Sequence, residues 1–102
     1  MSQQEQQPAG SPGQVQVKIS DEILRGVYAN MVQIGHGPEE FVLDFMNIFP
    51  PAGTVNARVI ISPSHAKRLA MALQENIKKY EEQFGTISLA VVPDQKIGFK
   101  TE

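Results

Sequence analysis

The sequence predicts an α+β domain: an antiparallel four-stranded β-meander with one long C-terminal α-helix on one face. Three observations carry that prediction. Apolar stretches of strand length are separated by glycine- and proline-containing breaks, the stretch after Pro63 has helical spacing, and the glutamine- and serine-rich start offers almost nothing to bury.

Residues 1 to 13 have the composition of a solvated, disordered tail. The domain is expected over residues 14–85. It opens with an alternation in which Val15, Val17 and Ile19 point one way and Gln16 and Lys18 the other, the period of a short half-buried strand. Ser20, Asp21 and Glu22 interrupt it. Val27 to Ile34 reads as the second strand, closed by the loop Gly35-His36-Gly37-Pro38, and Glu40 to Phe49 as the third. Pro50-Pro51-Ala52-Gly53 makes the next break, because neither proline can donate to a ladder, and Val55 to Ile61 forms the fourth strand. Face matching predicts Phe45 opposite Val59, Leu43 opposite Ile61 and Phe49 opposite Val55. It also predicts Met31 opposite Leu43 and Ala29 opposite Phe45.

The helix has the plainest signature. Ser62 can cap, Pro63 fits the first helical position, and Ala66, Leu69, Ala70, Leu73, Ile77, Tyr80 and Phe84 recur at helical spacing until Gly85. Glu75 and Lys79 form a favourably oriented i,i+4 pair on its polar side. Residues 86–102 form a C-terminal extension in which Thr86 to Val92 is β-branched enough for a further short strand before Pro93.

Composition narrows the function classes. The formal net charge is -2, and nine basic residues are scattered along the chain, so no cationic tract marks a nucleic-acid partner. Without cysteine there is no disulfide, no thiolate chemistry and no sulfur-ligated zinc, which fits a reducing cytoplasm. No run is apolar enough for a signal sequence or a membrane span.

Neither histidine has partners in the sequence that make a catalytic set. His36 lies near Glu39 and Glu40 in a glycine-proline loop, too few ligands on too loose a frame for a metal. His65, with Lys67 and Arg68, lies at the helix start, where free backbone N–H groups and cationic side chains could hold an anion; a solvated helix start explains the same residues. There is no Gly-x-Ser-x-Gly elbow and no phosphate-cradling glycine loop, so no catalytic residue, cofactor or metal is assigned.

The sheet itself is more informative. One face would collect Val27, Ala29, Met31, Leu43, Phe45 and Val59 as a floor for the helix. The other would collect Tyr28, Val32, Met46, Ile48 and Ile60, together with a polar group of Asn30 across from Asp44 and Arg58 diagonal to the carboxylate. One helix cannot cover both faces, so the second is expected to bind another copy, as a dimer or dimer of dimers, or another protein. Arg58 and Asp44 would then be a buried pair that fixes the docking, or a ligand grip.

The stretches Tyr28-Ala29-Asn30, Phe41-Val42-Leu43-Asp44-Phe45 and Ala57-Arg58-Val59-Ile60-Ile61-Ser62-Pro63-Ser64-His65-Ala66-Lys67, followed by Leu73, Asn76, Tyr80, Glu81 and Gly85, resemble the family called domain of unknown function 3467. The resemblance covers roughly residues 14–85. It implies a small soluble bacterial or archaeal protein and carries over no catalytic residue. In outline the strand order is also similar to the export chaperone SecB, which would make the chain a holdase for unfolded proteins.

Overall fold

In the computed structural model the residues described are 13–90 and 97–101. The chain divides into two compact units, Met1–Pro63 and Ser64–Glu102. The first contains a short helix α1 (Asp21–Arg25) and three strands, β1 (Met31–His36), β2 (Phe41–Phe49) and β3 (Ala52–Ile61); the second is built on helix α2, Pro63–Phe84.

The sheet is antiparallel, in the order β1-β2-β3. It therefore has three strands among the described residues, not four. The expected first strand is the one that fails: residues 14–20 form no ladder, and Val15, Val17 and Ile19 are exposed. The reason is local. Ser20 does not turn the chain back into a hairpin but caps α1, its Oγ accepting from the Ile23 N–H at 3.3 Å. Gly26, at φ 75°, then ends the helix in a conformation that suits only glycine.

The chain from Tyr28 to Asn30 is fixed by one backbone bond, the Asn30 N–H donating to the Met46 carbonyl at 2.9 Å, and by side chains. Asn30 donates from Nδ2 to the Ile48 carbonyl at 3.0 Å and accepts at Oδ1 from the Ile48 N–H at 2.9 Å, so its amide stands in for one more backbone pair beyond β1. The Tyr28 carbonyl accepts from Asn56 Nδ2 at 2.7 Å, which draws this segment toward β3 and away from the outer edge of β1.

Both hairpins are tighter than the sequence suggested. β1 continues through Gly35 and His36, and Gly37 donates to the Glu40 carbonyl at 2.9 Å, so Ile34 and not Met31 lies opposite Leu43. That slip is an odd number of residues, and it turns every side chain of β1 to the other face. On the other side Phe49 pairs with Ala52 around Pro50-Pro51, whose peptide bond is cis, and the strand resumes at once. Leu43 faces Val59 and Phe45 faces Ala57, two residues from the expected partners and on the expected face. A bulge at Asn56 then shifts the register, so that Val55 pairs with Met46 rather than with Phe49. Gly53 sits against Ile48, where an added Cβ would approach Ile48 Cγ1 to 3.1 Å.

The helix matches its sequence signature residue for residue. Pro63 occupies its first position and Gly85, at φ 99°, follows its last. Glu75 and Lys79 pair at 3.7 Å, and Tyr80 and Phe84 tilt together with ring centres 4.9 Å apart. Within its own unit α2 has no buried residue, and Leu73 is 57% exposed. In the described chain only Leu43 and Met46 are buried hydrophobics, one on each face of β2. Of the C-terminal extension, residues 86–90 carry no ladder; residues 91–96, like residues 1–12 of the expected tail, lie outside the described ones.

Candidate interaction surface

Residues that pair directly across the sheet share a face, so the observed registers sort the side chains. One face carries Val32 and Ile34 of β1 beside Phe45 and Leu43 of β2, and Ala57 and Val59 of β3. The other carries Met31 and Gln33, then Met46 and Asp44, then Val55 and Arg58, with Val42 opposite Ile60 farther along. Ile48 belongs to this second face by alternation.

The pair at its centre is stronger than a diagonal contact. Arg58 lies directly opposite Asp44 and grips it with both forks, Nε to Oδ1 at 2.7 Å and NH2 to Oδ2 at 2.9 Å. This is the planar two-bond match for which guanidinium and carboxylate are suited. The two partners are unequally placed: the Asp44 side chain is 7% exposed and that of Arg58 is 58% exposed. The Arg58 hydrogen bonds hold the Asp44 carboxyl below its ordinary range, with burial opposing and the arginine charge assisting. The same bonds hold Arg58 above its ordinary value. Asp44 is thus an anion kept ionised by one neighbour, and that neighbour's outer side faces water.

Of the interface residues expected from sequence, Asp44, Met46, Ile48, Arg58 and Ile60 do share this face. Val32 does not: the slip of β1 places it opposite Phe45 on the other side, and Ile34 moves with it. Asn30 is not across from Asp44. Gln33 takes that place, while Asn30 serves the backbone of Ile48. Tyr28 precedes β1, with its ring exposed and its carbonyl bound to Asn56. Gln33 and Asn56 are the residues that sequence reading overlooked. An asparagine between Val55 and Ala57 in β3 was the available signal for the bulge.

The helix-start cations do not converge. At about 100° per residue, His65 and Lys67 point about 160° apart around the helix, and Arg68 NH1 is donated to Ser64 Oγ at 2.8 Å. His36 stacks on Phe41 with ring centres 5.4 Å apart. Among the described residues no group of three histidines or carboxylates is placed to hold a metal, and no helix is long and apolar enough to cross a membrane.

Fold and surface together define a small α+β protein, a three-stranded antiparallel sheet followed by a long helix, whose chemistry lies in apolar faces and one clamped ion pair. The chain belongs to the family described as protein of unknown function (DUF3467), which matches residues 1–89. No curated protein and no solved structure matches it. The likeness to SecB rests on outline alone, and the sheet has one strand fewer than that outline assumed.

Proposed function

We propose that this chain is a non-catalytic interaction module that works as a homo-oligomer, docking through the sheet face that bears Asp44, Met46, Ile48, Arg58 and Ile60. One observation carries the reading. Among the described residues only Leu43 and Met46 are buried hydrophobics, while Ile60 on that face, Ile34 and Val59 on the opposite face, and Leu69, Leu73, Ile77 and Phe84 of the helix remain exposed. A chain of this size has little stability to spare, and large apolar surfaces on both elements are what a subunit interface covers.

Arg58 fits such a surface. Its guanidinium is already oriented by Asp44, so a partner that covers it meets a neutralised pair and not a bare charge. The absence of cysteine suits work in a reducing cytoplasm. Light scattering coupled to chromatography at micromolar concentration tests the proposal. A dimer or tetramer is expected, and a monomer refutes it.

A further inference from the structure

The oligomer reading leaves a specific question, namely what the segment before α1 is for. Residues 14–20 have a strand's alternation but no ladder, with Val15 77%, Val17 66% and Ile19 43% exposed. Among the described residues no strand pairs with the outer side of β1 or of β3. Unpaired edges with apolar side chains on both faces are templates for another strand.

We infer that residues 14–19 of a second copy add to the outer edge of β1 as an antiparallel fourth strand, each copy giving and receiving one. The inference rests on the oligomer reading and specifies its geometry. Length and polarity agree, because β1 also has six residues and alternates in the same sense, Val32 and Ile34 on one face, Gln33 and Gly35 on the other. The face-matched register sets Val17 opposite Ile34, Ile19 opposite Val32 and Lys18 opposite Gln33.

Charge decides between the two edges. Gln33 lies opposite Asp44 and Asp44 opposite Arg58, so Lys18 beside Gln33 would complete a row in which the carboxylate stands between two cations. On β3 the corresponding register, Val17 against Val59, would put Lys18 directly opposite Arg58. Like charges in that position are destabilising.

The donor is a second copy because of the way the chain runs. Its own segment leaves β1 through Asn30 and Tyr28, and Tyr28 is held by Asn56 on β3, at the other side of the sheet. Reciprocal exchange of identical strands closes a two-fold dimer.

The cysteine-free chain permits a direct test. Val17→Cys protein is mixed with mass-tagged Ile34→Cys protein and oxidised, with Gln16→Cys replacing Val17→Cys as the opposite-face control. The expected result is a covalent heterodimer formed several-fold more efficiently with Val17→Cys than with Gln16→Cys. Light scattering on the unmodified chain is run alongside. If it reports an oligomer while the two cysteine variants link no better than the control, strand exchange is wrong and the oligomer reading stands. A monomer overturns both. A double variant, Val17→Cys with Ile34→Cys in one chain, that closes its disulfide within a monomer would show the strand pairing at home and also overturn the exchange.

Discussion

Truncating Leu73 to alanine measures whether association covers the helix. The substitution removes three carbons, worth about 0.8 kcal/mol each if fully buried, or about 2.4 kcal/mol in transfer terms alone. In the single chain Leu73 is 57% exposed, so only about two-fifths of that, roughly 1 kcal/mol, is at stake there. If the oligomer buries the stripe of Leu69, Leu73 and Ile77, the loss rises to the range of about 2 to 5 kcal/mol seen for buried leucines, because a cavity is left as well. Urea denaturation of wild type and Leu73→Ala, at a concentration where light scattering shows the oligomer, reads the difference. A loss near or below about 1 kcal/mol would mean that Leu73 stays as exposed in the assembly as in the chain, and the helix would have to be dropped from the interface.

Three further outcomes follow from the sheet and the helix end. Because the folded Asp44 pKa is depressed, its contribution to stability is present above the unfolded carboxylate value, about 3.9, and is lost as pH falls through the lower folded value. Acid denaturation of Asp44→Asn should therefore show a weaker dependence on pH below that point than wild type, and identical profiles would refute the assignment. Arg58→Ala leaves Asp44 buried without its clamp and should weaken assembly in sedimentation velocity; replacing both residues by apolar ones of similar size should recover much of the loss, and indistinguishable profiles for wild type, single and double variant would remove the pair from the interface. Gly85→Ala forces a side chain into the left-handed region at φ 99° and should lower stability by about 1 kcal/mol in chemical denaturation, with no change in oligomer mass.

Local signals carried the helix and most of the two hairpins. Proline at the first helical position, seven apolar residues at helical spacing and a closing glycine need nothing beyond their own neighbours, so α2 is found where the pattern puts it. Hairpin breaks are equally local, since proline cannot donate to a ladder. The segment 14–19 shows the limit. Its alternation is that of a strand, yet a strand exists only where an edge accepts it, and in the single chain Ser20 is engaged by α1 and Tyr28 by Asn56. Neither bond can be read from period.

The candidate surface divides in the same way. Asp44, Met46, Ile48, Arg58 and Ile60 share a face as alternation predicted because the second turn is shorter than expected by an odd number of residues and the extra residue of the bulge at Asn56 restores even parity for Arg58 and Ile60. Val32 and Asn30 were misplaced because the first hairpin is tighter by an odd number, and one odd slip inverts a whole strand. The amino-acid sequence by itself determined the three strands and the long helix with its ends, but neither α1 nor the absence of a ladder over residues 14–20. The tertiary structure decided the register, the bulge at Asn56 and the direct Arg58–Asp44 clamp, because each depends on which backbone groups meet across strands, and a turn only one or two residues shorter changes every such meeting beyond it.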